Sequence, residues 1–404
     1  MGSKSTSATD KYARVIAFGL AMVLFAIPRA QAQTFSTIYN FTGGTDGGNP
    51  LAGFVIGPAG NLFGTTSVGG SSGAGVVFGL SESGEEKVLY SFTGGADGAN
   101  PNSSLIFDAS GNLYGTTYAG GAQGAGTVFE VSQAGVETVL YSFAGGADGA
   151  NPMSKLSFDT AGNLYGTTSA GGAYGAGTVF EVVKGGTEKV LHSFGNGTDG
   201  ANPTAGVTLL ENATHVVTAI FGTASTGGTD GYGAVFVLTP SQSVWKETIL
   251  HSFEMQSDGG TPYAGLVFDS LGHLYGTTTD GGGADEGGGG TVFELAYSAG
   301  QWNFSVLDGL AGSGISGTYR NIILDASGNI YATTHCDGAD GAGTVYKLTS
   351  SGGTWTYTSL YTFTGGSDGL YSYSNLVFDK QGNLYGTTKY GGTSGNGVVF
   401  KVAP

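Results

Sequence analysis

A six-residue phrase that returns along almost the whole chain limits the possible folds more than any other feature. It reads Asn-Leu-Tyr-Gly-Thr-Thr at residues 112–117, and it recurs with small changes. The aromatic third residue of the seven copies is Phe63, Tyr114, Tyr165, Phe221, Tyr275, Tyr331 and Tyr385. Self-similarity at such a regular period is typical of one repeat architecture and not of several unrelated domains.

Each repeat unit contains four short runs that suit β-strands. In the second unit these runs are residues 104–107, 112–117, 127–131 and 138–143, and turns or glycine-rich loops separate them. The runs favour β-branched, aromatic and other apolar residues, and no segment after residue 32 shows a helical period. Four strands in a repeat of this length are typical of a propeller blade. The sequence therefore predicts an all-β fold, a seven-bladed β-propeller with four-stranded blades.

The two ends of the repeat array predict how the ring closes. Residues 35–41 match the fourth strand of a blade, whereas residues 398–402 match the third strand. We therefore expect the N-terminal strand to complete the last blade, which removes an open sheet edge. Glycine inside the second strand, as at Gly115, predicts that a neighbouring blade approaches closely there.

The first residues of the chain resemble an export signal. Three basic residues, the last of them Arg14, precede an apolar run over residues 15–28, and residues 30–32 read Ala-Gln-Ala. A positive flank, a short apolar stretch and a small-x-small exit are typical of a cleaved secretory signal. We predict a signal peptide at residues 1–32 and the propeller at residues 33–404. No membrane association is expected after cleavage, and the expected location is extracellular or periplasmic.

Charge and cysteine content exclude several classes of partner. The chain has a formal net charge of −16, so phosphate backbones and anionic lipids would repel it. Nucleic acid is therefore not an expected partner. The single cysteine, Cys336, allows neither an intramolecular disulfide nor a four-cysteine zinc site. We expect a monomer that packing and strand pairing hold together.

An aspartate recurs in the link that joins the fourth strand of one blade to the first strand of the next. It opens an Asp-Gly-x-Asn-Pro phrase in most blades, and the six residues are Asp46, Asp97, Asp148, Asp199, Asp258 and Asp368. A ring of aspartates around one mouth of the propeller could coordinate calcium. The alternative is that Asp-Gly and Asn-Pro simply form the turn, and turn chemistry alone explains these residue types. Calcium is the only cofactor that the sequence suggests.

The repeat breaks in blades six and seven, where aromatic, basic and acidic residues replace the usual turn residues. They are Tyr319, Arg320, His335, Asp337, Tyr371, Tyr373 and Tyr390. All lie in links expected on one face of adjacent blades. Tyrosine rings can stack on a sugar, and arginine can pair with an anionic group. The sequence predicts a ligand site there, with ordinary drift of the blades near the closure as the alternative.

Three phrases recur in register and resemble a known family. Residues 91–101, 111–117 and 126–130 are similar to the GloVer tandem repeat, found in bacterial exported proteins that include choice-of-anchor members. The resemblance implies an exported or surface protein and carries no established activity. Many such proteins end in an anchoring segment, whereas this sequence stops at Pro404, directly after the last strand. We therefore expect free secretion.

Three functions remain open from the sequence. The leading hypothesis is a secreted, non-enzymatic propeller that recognises a glycan or an extracellular protein partner at the mouth of blades six and seven. The second is a polysaccharide lyase for uronate-containing glycans, in which His335 or a tyrosine removes a proton and Arg320 neutralises the carboxylate. The third is a structural scaffold.

Overall fold

The computed structural model describes residues 33–195, 198–282, 288–310 and 317–403. Seven antiparallel sheets form the blades of a propeller, each with four blade strands, and the sheets of blades two and three each contain one short extra strand. This arrangement confirms the predicted fold. The described residues contain strands and turns and no helix that could span a membrane. The predicted signal peptide, residues 1–32, lies outside the described residues.

Each blade contains four strands that follow one another in the sheet. In strand order, blade one has Val55–Ile56, Leu62–Thr66, Val76–Leu80 and Glu86–Ser91; blade two has Ile106–Phe107, Leu113–Ala119, Thr127–Val131 and Glu137–Ser142; and blade three has Ser157–Phe158, Leu164–Ala170, Thr178–Val183 and Thr187–Ser193. Blade four has Thr208–Glu211, Val217–Ala224, Ala234–Ser241 and Val244–Ser252, and blade five has Val267–Phe268, Leu274–Thr277, Thr291–Ser298 and Gln301–Gly309. Blade six has Ile323–Leu324, Ile330–Thr333, Thr344–Ser351 and Thr354–Thr362, and blade seven has Val377–Phe378, Leu384–Thr388, Val398–Ala403 and Thr34–Asn40. Short extra strands are Ala99–Pro101, Ala150–Pro152, Gly200–Ala201 and Thr226–Gly227.

The N-terminal strand closes the ring, as predicted. It pairs antiparallel with Val398–Ala403, so that Thr34 faces Ala403. Phe35 of this strand stacks on Tyr361 of blade six, with ring centroids 3.8 Å apart and an interplanar angle of 9°. The strand therefore completes blade seven and also holds it against blade six.

The core lies in the gaps between blades, where phenylalanines pack against each other. Phe92, just after the last strand of blade one, is fully buried and meets Phe129 of blade two edge-on at 5.1 Å. The same contact recurs in five other gaps, through Phe41, Phe143, Phe194, Phe253 and Phe363. Leu310 and Tyr346 take these places between blades five and six. Such aromatic pairs add about 0.5–1.5 kcal/mol beyond the burial of their area.

Glycine in the second strand makes room for an aromatic ring of the same blade. A Cβ on Gly276 would lie 2.4 Å from Cζ of Phe293, the residue paired with it on the third strand. Gly222 and Phe236 have the same relation at 2.4 Å. The prediction that this glycine makes room for a neighbouring blade is therefore wrong, because the ring that lies against it belongs to the same blade. The glycine lets the ring of its own blade lie across the strand, and this ring meets the phenylalanine of the preceding blade.

The first strand of each blade lies nearest the propeller axis. Arg320, just before the first strand of blade six, donates a hydrogen bond of 3.3 Å to the carbonyl oxygen of Asn102, just before that of blade two. Blades six and two are not neighbours in the ring, so their links can meet only at the axis. Residues in these links consequently surround the axial mouth.

Candidate functional site

A cavity of about 260 Å³ opens at the axial mouth. Its lining comprises one residue from each link between blades together with two cations: Leu51, Asn102, Met153, Thr204, Tyr263, Tyr319, Tyr373, Arg320 and Lys389. In the regular blades the lining residue follows the proline of the Asn-Pro phrase. The repeated turn therefore gives each blade one side chain at the mouth.

The turn has the same left-handed backbone conformation in the regular blades and in blade seven. Asn100 has a φ of 54°, a left-handed conformation that asparagine tolerates well. Tyr371 occupies the equivalent place in blade seven and has a φ of 60°, although that conformation is costly for a bulky residue. The strained turn at Tyr371 places Tyr373 at the mouth, where the regular blades have the residue after proline.

Four aromatic rings form a contiguous cluster at one side of the cavity, with Tyr319 in its centre. The Tyr319 ring stacks on Tyr263 at 5.3 Å and 24°, and it meets Tyr373 edge-on at 5.0 Å. His335 lies 5.0 Å from Tyr319 and 4.3 Å from Tyr373, measured between ring centroids. The Tyr373 hydroxyl and Nε2 of His335 are also 3.2 Å apart, within hydrogen-bond distance.

Two further tyrosines extend the cluster away from the axis. Tyr371 lies 4.4 Å from His335, and Tyr390 lies 6.4 Å from Tyr371. The Lys389 ammonium lies over the Tyr373 and Tyr390 rings, at 5.3 and 4.8 Å from their centroids. Cation–π attraction of this kind holds the lysine head group beside the cavity.

Arg320 supplies a second positive charge at the mouth. Its Nε donates to the Tyr373 carbonyl oxygen at 3.2 Å, in addition to the bond from Nη2 to Asn102. Burial lowers the pKa of Arg320 to about 10, so the guanidinium stays charged at neutral pH. Among the described residues that line the cavity there is no carboxylate to neutralise it. The Oδ1 atom of Asn102 is buried and has no hydrogen-bond partner within the described parts of the chain.

His335 is neutral at physiological pH. Burial, and to a lesser degree the charge of Lys389, lowers its pKa to about 4. Its Nδ1 atom is buried, and none of the residues that the structure describes forms a hydrogen bond with it. A histidine with so low a pKa is a weak base, which limits what it can do in proton transfer.

Asp337 does not lie with the other predicted ligand residues. Its carboxylate accepts a hydrogen bond from the Thr334 hydroxyl of its own loop, and it lines a different pocket with Asp308 and Tyr357. That pocket lies at the outer strands of blades five and six. The loop hydrogen bond thus turns Asp337 away from the axial mouth, where Tyr319, Arg320 and Tyr373 meet.

The six repeated aspartates lie in turns beside the outermost strands. The Asp46 carboxylate accepts hydrogen bonds from the Tyr39 hydroxyl at 3.0 Å and the Thr42 amide at 2.8 Å. Equivalent tyrosine or histidine contacts are formed by Asp97, Asp148, Asp258 and Asp368, and Asp199 lies near a histidine. These residues cap their own turns, and none lines the axial cavity. Calcium binding by them stays a prediction.

Tyr263 is the main residue of the cavity that sequence reasoning missed. The sugar site was predicted in blades six and seven, where the phrase breaks, whereas Tyr263 belongs to a link with a nearly regular phrase. It follows Pro262 at the position that Tyr319 and Tyr373 take in the next two blades. A comparison of that single position across all blades would have found the tyrosine row.

The repeated phrases match a described family. The family model of the Gloeobacter/Verrucomicrobia repeat matches residues 22–219 and 212–404. The chain belongs to this repeat family. The match confirms the resemblance inferred from the three recurring phrases, and the family description names a repeat and no activity. A comparison with curated proteins finds no match.

Several solved structures are similar to this repeat-family propeller at low sequence identity. A proposed 6-phosphogluconolactonase of Bacteroides uniformis is 16% identical, with 81% of this chain and 88% of that chain covered at a TM-score of 0.50. A triple arginine-to-alanine mutant of AofleA from Arthrobotrys oligospora is 10% identical, with 81% and 89% covered at 0.43. A proposed oxidoreductase (glucose dehydrogenase) of Thermus thermophilus is 12% identical, with 92% and 100% covered at 0.42. At these identities the likeness concerns the fold alone.

Proposed function

We propose that this propeller is an exported, non-enzymatic binding protein that recognises an acidic carbohydrate at the axial mouth. One observation carries the proposal. Three tyrosines and two cations line a single cavity, and the described lining contains no carboxylate. The described lining therefore carries positive charge, in contrast to the net charge of −16 of the chain as a whole.

The shape of the aromatic cluster suits a sugar ring. The Tyr263 and Tyr319 rings lie nearly parallel, and the Tyr373 ring meets Tyr319 edge-on. The three rings therefore provide two aromatic surfaces at a steep angle to each other. The apolar face of a pyranose can pack on such rings while its hydroxyls keep polar contacts. A cavity of about 260 Å³ is slightly smaller than typical sites for drug-sized ligands. One sugar residue or a chain end is the expected occupant.

Polar groups at the mouth suit an anionic sugar. A guanidinium has five N–H donors, and Arg320 uses only two of its nitrogens on backbone carbonyls. Its remaining donors and the Lys389 ammonium can pair with a uronate carboxylate. The buried Oδ1 of Asn102 can accept a hydrogen bond from a sugar hydroxyl.

Binding fits these groups better than lyase chemistry does. A lyase needs a base that removes the proton next to the uronate carboxylate, and an efficient base has a pKa near the working pH. The pKa of His335 is about 4, which makes the imidazole a weak base. Burial and neighbouring charged groups raise the pKa of Tyr319 above its ordinary value, so its phenolate is disfavoured.

A panel of neutral and uronate-rich polysaccharides tests the proposal with residues 33–404. Retention and ultraviolet absorbance are measured together, because absorbance reports the carbon–carbon double bond that a lyase forms. We expect retention on uronate-rich glycans, reduced at least about tenfold in Tyr319→Ala and Lys389→Gln. The matched control is Tyr174→Ala, since Tyr174 is 56% exposed and outside the cavity.

Each other outcome of the panel argues against the proposal. Rising absorbance would identify a lyase. Retention that Tyr319→Ala leaves unchanged would place the glycan site elsewhere. No retention of any glycan would favour a protein partner or a scaffold.

A further inference from the structure

The outermost strands of adjacent blades meet in a repeated contact. In each of blades one to four, the fourth strand carries a glutamate. This glutamate faces an aspartate and a tyrosine or histidine, which both come from the preceding blade. The glutamates are Glu86, Glu137, Glu188 and Glu247. At the first three junctions the partner ring is a tyrosine whose hydroxyl donates to the aspartate, as Tyr90 does to Asp97 at 3.0 Å. These three junctions provide an internal reference for the fourth.

The junction of blades three and four has a histidine in place of the tyrosine. Nε2 of His192 lies 3.7 Å from Oδ2 of Asp199 and 3.7 Å from Oε1 of Glu247. The three groups each place one ligand atom within 4.8 Å of the others. Distances of 3.7 Å are too long for hydrogen bonds. The three ligand atoms nevertheless surround one common space.

Three buried atoms at this junction have no hydrogen-bond partner among the described residues. They are Nε2 of His192, Oδ1 of Asp199 and Oε1 of Glu247. The glutamate Oε1 is unpaired at the first three junctions as well, so the histidine and aspartate atoms are what distinguish the fourth. The side chains are only 17%, 8% and 12% exposed, respectively. Buried polar atoms are normally paired, so each of these atoms calls for a partner.

A local sequence change removes one hydrogen-bond donor from Oδ1 of Asp199. At the junction of blades one and two, the Thr93 hydroxyl donates to Oδ1 of Asp97 at 2.6 Å. Gly195 occupies the position of Thr93 and has no side chain; it provides only its amide, at 3.1 Å from Oδ2 of Asp199. Oδ1 of Asp199 is therefore left without the hydroxyl that its counterpart has.

We propose that His192, Asp199 and Glu247 bind one Zn²⁺ ion, or a similar divalent transition metal, between blades three and four. One imidazole and two carboxylates are typical ligands of such ions, whereas calcium prefers oxygen ligands alone. Zinc–ligand bonds of about 2.0–2.2 Å place tetrahedral ligand atoms about 3.3 Å apart. The two distances of 3.7 Å from Nε2 of His192 need to shorten by only a few tenths of an ångström, and the Asp199 and Glu247 ligand oxygens lie within 4.8 Å of each other.

The ion would tie the outer edges of two adjacent blades together. Because the three ligands converge only in the folded ring, binding stabilises the native state. Three protein ligands leave a fourth position for water. The site lies at the outer rim, so it is independent of the sugar site at the axial mouth.

Calorimetric titration of residues 33–404 with Zn²⁺ tests the site, using tag-free protein first stripped of metal. We expect one ion per chain and a rise in Tm upon binding. His192→Tyr and Glu247→Gln should each weaken binding at least about tenfold, since even changes outside the ligand shell cost about 10–100-fold. His192→Tyr introduces the residue found at the first three junctions, so the variant is expected to fold.

His251→Tyr is the matched control. His251 also contacts an aspartate, at 2.9 Å, but it stacks on Phe304 where the first four junctions have glutamate. We expect this variant to bind Zn²⁺ as the unmodified protein does. Binding that His192→Tyr and Glu247→Gln leave unchanged would overturn the proposal, as would the absence of any effect of Zn²⁺ on Tm.

Discussion

Replacing Glu137 by glutamine should stabilise the protein, and the gain should depend on pH. Glu137 lies on the outer strand of blade two, where its Oε1 atom is buried without a hydrogen-bond partner. Burial, together with the nearby Asp97 carboxylate, raises its pKa from 4.5 to about 7. Glutamine removes one of the two negative charges, and its amide can donate to Asp97.

The sign and size of the effect follow from the raised pKa. The folded state binds a proton at Glu137 more tightly than the unfolded state does, so stability falls as pH rises from about 4.5 through about 7. The full difference in pKa corresponds to about 3 kcal/mol, at about 1.4 kcal/mol for each pH unit. The side chain is only partly buried, and solvent screening reduces the expected effect to about 1–2 kcal/mol. The penalty is present above pH 7 and is absent below about pH 4.5.

Urea unfolding of residues 33–404, followed by tryptophan fluorescence near pH 4 and near pH 8, measures this effect. We expect Glu137→Gln to raise the free energy of unfolding by about 1–2 kcal/mol near pH 8 and to change it little near pH 4. Glu85→Gln is the control, because Glu85 is exposed and directly precedes the equivalent strand of blade one. Equal loss of stability at both pH values in Glu137→Gln would refute the reasoning.

Two further changes test the packing and the closure of the ring. Gly276→Ala should cost about 1–3 kcal/mol in thermal unfolding, because its Cβ would lie 2.4 Å from the Phe293 ring. Gly146→Ala should stay within about 0.5 kcal/mol, since no atom lies within 4 Å of its added Cβ; equal effects of the two would contradict the packing described. Deleting residues 33–40 should broaden or abolish the cooperative transition, because it exposes the edge of Val398–Ala403. A synthetic peptide of the deleted residues should restore the transition, whereas a deleted protein as stable as its parent would show that the closing strand is dispensable.

Features of the fold that follow from the repeat could be predicted from the sequence, because each blade contains the same recurring phrases. The phrase around Tyr114 gave the number of blades, and the matched ends predicted that Thr34–Asn40 would pair with Val398–Ala403. Contacts between distant parts of the ring left no local pattern. Arg320 and Asn102 are 218 residues apart and meet only because the ring closes around its axis.

Side-chain directions within loops also escaped sequence reasoning. Asp337 shares a loop with His335, yet a hydrogen bond from Thr334 turns it toward another pocket. The set of His192, Asp199 and Glu247 combines three separate positions of the sequence. It could be recognised only once the outer strands of adjacent blades were known to face each other.

Calorimetric titration with the uronate oligosaccharide selected by the panel tests sugar binding at the axial mouth most directly. The informative pair of variants is Tyr263→Ala and Tyr390→Ala. Tyr263 lines the axial cavity, whereas Tyr390 lies outside it in the same aromatic cluster. Binding at the mouth predicts at least about a tenfold loss of affinity in Tyr263→Ala and a much smaller loss in Tyr390→Ala. Unchanged affinity in Tyr263→Ala would contradict it.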